Sequence, residues 1–230
     1  MIELYSGTPG SGKSLHLART VRDALKFSCP VIGTFHINEK CLWKNSKYPY
    51  TYISIYELSP EYLKNYFIEN KDKYLKKGVE GSFLLVIDEC QRIFNSREWQ
   101  TNKSRNEWIT FFAEHRHLGF NVILVSQTDI MIDRQIRSLI EYNIIHRKVD
   151  NLGFFGRFLS FFIGRFAFVK TWYAIKGFNI SSEFIRGNKK LFNFYDTFED
   201  FGLPGGEVQE SCPPEDEVLE KLKKIPSVSA

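Results

Sequence analysis

The chain has 230 residues, enough to bury a full core, with 43% hydrophobic and 25% charged residues. Cys29, Cys41, Cys90 and Cys212 stand far apart with no CxxC pair and no histidine cluster, which argues against a disulfide framework or structural zinc site and suits a reducing compartment. No apolar run reaches the roughly 20 residues of a bilayer-crossing helix, and the chain opens on strand-like residues rather than a secretory leader.

The net charge of +4 conceals an asymmetry. From Glu199 to Glu220 there are eight acids and no Lys or Arg, and Lys221, Lys223 and Lys224 follow, so residues 199–230 carry −5 and residues 1–198 carry +9. A basic body suits an anionic partner such as nucleic acid or a lipid surface; it equally suits ordinary surface lysines and arginines.

In chain order, Ile2-Glu3-Leu4-Tyr5 reads as a short strand. It leads into Gly7-Thr8-Pro9-Gly10-Ser11-Gly12-Lys13-Ser14, a Gly, four residues, then Gly-Lys-Ser. Glycines let such a loop turn its N–H groups inward around phosphate oxygens, and the following helix offers the positive end of its dipole to the same anion. Lys13 can reach the β- and γ-phosphates, and the Ser14 hydroxyl can ligate Mg²⁺. A strand–helix turn that binds nothing would not need strand, loop, Lys-Ser and helix to agree. Leu15 to Lys26, with Ala18, Val21 and Leu25 at helical spacing, supplies that helix. Pro30 to Phe35 reads as a strand, and Tyr48 to Tyr56 alternates weakly as another. Ser59 and Pro60 open a helix as N-cap and first residue; it runs to about Lys77 and stops at Gly78.

Phe83-Leu84-Leu85-Val86-Ile87 is a continuous apolar run, as expected of a strand buried on both faces of a parallel sheet. It ends in Asp88-Glu89, the Walker B arrangement. Asp88 is placed to hold the Mg²⁺ shell, and Glu89 to orient and polarise an attacking water. The second acid favours hydrolysis over phosphate transfer to a small acceptor. A helix over Glu107 to His117 ends at Gly119, and Asn121 to Ser126 is a second continuous strand. Gln127, at its tip, is a candidate contact for the γ-phosphate or the water; a solvent-facing strand end is the plainer alternative. Asp133 caps a further helix carrying Ile136, Leu139 and Ile140. An arginine from a neighbouring subunit would stabilise charge on the γ-phosphate. Arg116, Arg134 and Arg137 flank the Gln127 strand, while Arg92 and Arg97 follow Asp-Glu. Sequence alone does not select among them, and Arg116 stands as the catalytic candidate.

Alternating strands and helices give an α/β class: a P-loop NTPase with a mostly parallel central sheet flanked by helices, plus a C-terminal appendage. Residues 1–150 form the P-loop core. Residues 151–200 hold an aromatic, basic segment and additional strands completing the domain. Residues 201–230 form an acidic, Gly/Pro-rich tail with a short helix near Glu215 to Lys224. Within Gly153 to Phe168, Phe154, Phe155, Phe158, Leu159, Phe162, Ile163 and Phe166 recur at helical spacing opposite Arg157 and Arg165. That pattern predicts an amphipathic helix over Phe154–Phe168 lying in a membrane interface or packing on the body; a hairpin turning at Gly153 and Gly164 is the alternative.

Taken together, these residues resemble the zonula occludens toxin (Zot) family, filamentous-phage assembly ATPases of the FtsK/HerA-like branch of P-loop NTPases. The resemblance rests on Gly7 to Ser14, on Val86-Ile87-Asp88-Glu89-Cys90-Gln91, and on Phe112-Ala113-Glu114-His115-Arg116-His117-Leu118-Gly119-Phe120 leading into Val122 to Gln127 and Ile132 to Arg137. It covers residues 1–150 well and the remainder loosely. It implies an ATP- and Mg²⁺-dependent assembly and export motor at the cytoplasmic face of the bacterial inner membrane. Such a motor acts as a homo-oligomeric ring, hexameric by resemblance, extruding phage single-stranded DNA and coat protein. The family's transmembrane helix and outer domain, which follow the ATPase region, are not visible in these residues. Two other classes compete: an interaction protein acting on host junctions, after the family's name, and a small-molecule or nucleotide kinase.

Overall fold

The computed structural model describes residues 1–75, 81–97, 103–149, 166–174, 179–187 and 189–196. The chain starts in β1 (Ile2–Ser6), buried along its whole length. After the glycine-rich loop comes α1 (Lys13–Asp23), which runs on into a π-turn over Ala24–Ser28. Then follow β2 (Val31–Gly33), β3 (His36–Ile37), β4 (Tyr50–Tyr52) and α2 (Pro60–Tyr74). The Ser59 hydroxyl accepts from the Tyr62 N–H and Pro60 occupies the first turn of α2, so the helix begins where its cap residues dictate. The rest of the chain supplies β5 (Phe83–Ile87), α3 (Arg105–Glu114), β6 (Phe120–Val125), α4 (Arg134–Arg137), β7 (Tyr142–Lys148), β8 (Phe166–Trp172), β9 (Asn179–Ile185), α5 (Lys189–Phe192) and β10 (Tyr195–Asp196).

Eight strands form one sheet in the order β4-β2-β5-β6-β1-β7-β8-β9, and β3 pairs with β10 in a separate ribbon. Pairing is parallel from β4 through β7, while β8 and β9 are antiparallel additions. Parallel neighbours require crossovers, and the crossover helices cover both faces. Along β5, Phe83, Leu85 and Ile87 face a core shared with Trp108, Phe111 and Phe112 of α3, whereas Leu84 and Val86 face one shared with Leu17, Ala18 and Val21 of α1. This double burial explains why the β5 sequence is apolar without alternation. Ile87, Leu124 and Leu4 lie abreast in the register, so β5, β6 and β1 release their C-terminal loops side by side.

Two expectations change. The helix after Asp133 has only four residues: Leu139 and Ile140 N–H groups turn back to the Ile136 and Arg137 carbonyls, which redirects the chain into β7. Phe166 and Phe168, expected at the end of an amphipathic helix, are strand residues of β8. Phe166 packs against Gly12 and Phe168 against His16, so both belong to the α1-side core and neither is available to a membrane. The remainder of that segment, and the tail with its expected helix, lie outside the described residues. Among the described residues no helix is long and apolar enough to cross a membrane.

Candidate active site

β1 delivers the glycine-rich loop at its C-terminal end. Gly7 has φ +147° and Gly12 φ +98°, conformations that favour glycine. A Cβ at Gly7 would stand 2.6 Å from the His146 carbonyl oxygen, and one at Gly12 2.6 Å from the Phe166 ring. The loop is therefore pressed onto β7 and β8 from below, while Thr8, Pro9, Gly10 and Ser14 are exposed above. Gly12→Ala is expected to cost about 1–3 kcal/mol, read as a fall in melting temperature of roughly 2–4 °C per kcal/mol for a chain of this size. An unchanged melting temperature would contradict the steric argument.

Lys13 folds over the loop, its Nζ donating to the Gly7 carbonyl at 2.6 Å and the Thr8 carbonyl at 3.2 Å. Burial lowers the ammonium pKa, and Asp88 and Glu89 pull it back up in part, which places both carboxylates within electrostatic reach of the lysine. Asp88 is held at the end of β5 by its N–H, which donates to Thr34 Oγ1 at 2.9 Å; its Oδ1 in turn accepts from the Glu89 N–H at 2.9 Å. Glu89 sits in the left-handed region, φ 49° and ψ 40°, and caps the short turn Cys90–Arg92. Gln91 Nε2 donates to Glu89 Oε2 and fixes the carboxylate. Because β6 lies between β1 and β5, its tip falls between the loop and the Asp-Glu corner. There the Gln127 carbonyl accepts from the Gly7 N–H at 3.2 Å, and the Gln127 side chain is exposed.

The structure thus brings together the loop, Lys13, Ser14, Asp88, Glu89 and the Gln127 tip. It does not bring Arg116 to them. The segment after α3 ends at the opposite end of the strands, where Arg116 Nη2 pairs with Glu141 Oε2 at 2.9 Å and Glu141 Oε1 accepts the Ile2 N–H. The reason is directional: β6 starts there, its Phe120 N–H bonded to the His115 carbonyl, and runs away toward the loop.

Sequence reasoning missed Thr34, which acts across 54 residues and has no local signature. It also missed two histidines beneath the loop. His146 Nδ1 lies 3.1 Å from the Ser6 carbonyl and His16 Nδ1 3.0 Å from His146 Nε2. This geometry assigns both Nδ1 protons: His146 donates to Ser6, and its Nε2 accepts from His16. The His16 ring is stacked between Tyr5 at 4.7 Å and Phe168 at 4.2 Å. Burial, aided by the neighbouring His146, Arg19 and Lys170, pushes His16 down to about 3. Burial likewise pushes His146 down to about 4, against the pull of its backbone hydrogen bonds. Both rings are neutral when folded and regain the ordinary value near 6.5 on unfolding. The unfolded chain therefore binds more protons between about pH 4 and 6.5. Their contribution to stability is complete above pH 6.5 and is lost as pH falls toward 4. The urea midpoint is expected to drop between pH 7.5 and 5.0; a flat profile would mean the pair is not held neutral.

A strand, a Gly-x4-Gly-Lys-Ser loop and a helix, joined by an Asp-Glu strand tip one strand removed, define a P-loop NTPase fold. The chain belongs to the zonular occludens toxin (Zot) family, whose model matches residues 1–197. It is 31% identical over 128 residues to the Gene 1 protein of Enterobacteria phage f1, covering 51% of this chain and 36% of that one. It is 27% identical over 159 residues to the Gene 1 protein of Escherichia phage If1, covering 66% and 42%. The matches thus span well under half the length of these phage relatives. Among solved structures, the N-terminal domain of zonular occludens toxin from Neisseria meningitidis is similar at 18% identity and a TM-score of 0.47, covering 85% and 98% of the two chains. The genome packaging NTPase B204 of Sulfolobus turreted icosahedral virus 2 is similar at 15% identity and a TM-score of 0.50, covering 81% and 98%. At that identity the likeness to B204 shows the fold alone.

Proposed function

We propose that the protein is an ATP-hydrolysing assembly motor of a filamentous phage, working as a homo-oligomeric ring at the cytoplasmic face of the bacterial inner membrane. The observation that carries the proposal is the convergence of Lys13 and Ser14 with the Asp88-Glu89 corner across a strand whose tip is Gln127. The residues fit ATP and Mg²⁺. The cradle is kept open by glycines whose Cβ would collide below it, its upper residues are exposed, and a hydroxyl and a carboxylate are available as hard oxygen ligands. Bound Mg²⁺, which Ser14 and Asp88 would hold, would neutralise charge that develops on the phosphate oxygens.

In this reading the loop amides and Lys13 bind the phosphates, with Lys13 exchanging its two loop carbonyls for phosphate oxygens. Ser14 and Asp88 hold the metal. Glu89, steadied by Gln91, takes a proton from the attacking water, and the Gln127 side chain contacts the γ-phosphate or that water. Arg116, paired with Glu141 at the far end of the strands, can serve only a neighbouring subunit that approaches that end. Family membership and the likeness to phage Gene 1 proteins support a phage setting; phage single-stranded DNA and coat protein as the cargo and the inner membrane as the place of work belong to the proposal itself. B204 is a genome packaging NTPase, and the shared fold is compatible with a motor of that kind.

Steady-state ATP hydrolysis across a protein concentration series tests the proposal. Specific activity is expected to rise steeply with concentration, as sites shared between subunits form. A flat, non-zero profile would exclude shared sites, and no hydrolysis at any concentration with Mg²⁺ would exclude the enzyme.

A further inference from the structure

The surface beside the loop carries aromatic rings that phosphate chemistry does not use. A cavity of about 250 Å³ adjoins Gly12, Lys13 and Ser14 and is walled by Phe166, Phe192 and Tyr195. Phe166 is fixed: its ring lies against Gly12 and is buried. Tyr195 is fixed by stacking on Phe35, with ring centroids 4.7 Å apart. Phe192 is different. It is 55% exposed, on the short helix α5, and meets Phe166 edge-on at 6.4 Å. The chain returns to α1 through α5 and β10, placing these rings at the start of the helix that follows the loop.

An exposed phenylalanine that opens onto a cavity next to the phosphate loop offers the chemistry a nucleobase needs, an apolar flat face at a nucleotide's reach from the phosphates. Among the described residues the cavity lining contains no Asn, Gln, Asp or Glu to read a base edge, so recognition there falls on the face of the ring. We infer that Phe192, backed by Phe166 and Tyr195, is the base-stacking surface of the nucleotide site. This rests on the proposed nucleotide-binding role of the loop and adds the other end of the ligand to it. Because ring faces rather than edges are gripped, ATP and GTP lean on Phe192 to a similar degree.

The test compares wild type, Phe192→Ala and Phe192→Trp for binding of ATP, GTP and inorganic tripolyphosphate by isothermal titration calorimetry. Loss of a base–aromatic stack is expected to weaken ATP and GTP about 5- to 150-fold. Tripolyphosphate, which has no base, should bind Phe192→Ala as it binds wild type, and Phe192→Trp should restore ATP affinity. Phe192 is exposed, so its truncation leaves the core intact, and thermal melting confirms this. Equal ATP affinity in wild type and Phe192→Ala would overturn the stacking surface while leaving the phosphate loop standing. A parallel loss of tripolyphosphate affinity would also overturn it, since the ring would then be shaping the loop. Failure of wild type to bind any of the three would instead overturn the nucleotide site itself.

Discussion

Lys13→Ala is expected to leave a folded protein that scarcely binds ATP. The Lys13 ammonium reaches over the loop and is half-buried, so its attraction to phosphate is less screened than that of a surface lysine. A hydrogen bond to a charged group is worth about 1.5–3 kcal/mol, so each lost contact weakens ATP roughly 10- to 150-fold. The fold should tolerate the change, because the Gly7 and Thr8 carbonyls that Lys13 now caps lie on a solvent-facing loop. Titration of a fluorescent ATP analogue reads the effect directly. An affinity within a factor of two of wild type would remove Lys13 from the phosphate site.

Glu89→Gln should have the opposite signature, binding ATP normally and failing to turn it over. The substitution keeps the size of the side chain and an oxygen able to accept from Gln91, so the geometry of the corner is retained while the base is lost. Removal of a general base costs about 10²–10⁴-fold in rate, equivalent to roughly 3–5 kcal/mol of transition-state stabilisation. Single-turnover hydrolysis with saturating Mg²⁺ and ATP separates this from any change in affinity. Ordinary single-turnover rates in Glu89→Gln would assign the proton acceptor elsewhere.

The parts of this protein that were legible in its sequence are those whose chemistry is local. Gly7 to Ser14 declares itself because the turn, the lysine and the helix start all lie within eight residues. Phe83 to Ile87 was readable to the residue because a strand covered on both faces tolerates only apolar side chains. Phe166 and Phe168 were not. With Phe154, Phe158 and Phe162 upstream Phe166 fits a period near four, yet the alternation of buried Phe166 and Phe168 with half-exposed Ala167 and Val169 is a strand's period of two. Pairing with β7 and β9 decided between the two, and no local pattern carries that information. The same limit hid Thr34 and His146 from view, since each acts on residues more than fifty positions away. It also left unsaid at which end of β6 Arg116 falls, because a helix sequence gives its faces but not its direction across a sheet.

The left-handed backbone at Glu89 has a consequence for how this position can change. A residue with a Cβ held there costs about 1–2 kcal/mol relative to an unstrained conformation, and glycine would remove that cost at a stroke. Variants drawn for thermal robustness alone should therefore drift toward glycine or asparagine at residue 89, and those drawn for the proposed ATP hydrolysis should return to glutamate. The corner is a point where stability of the fold and the proposed chemistry pull one codon in opposite directions.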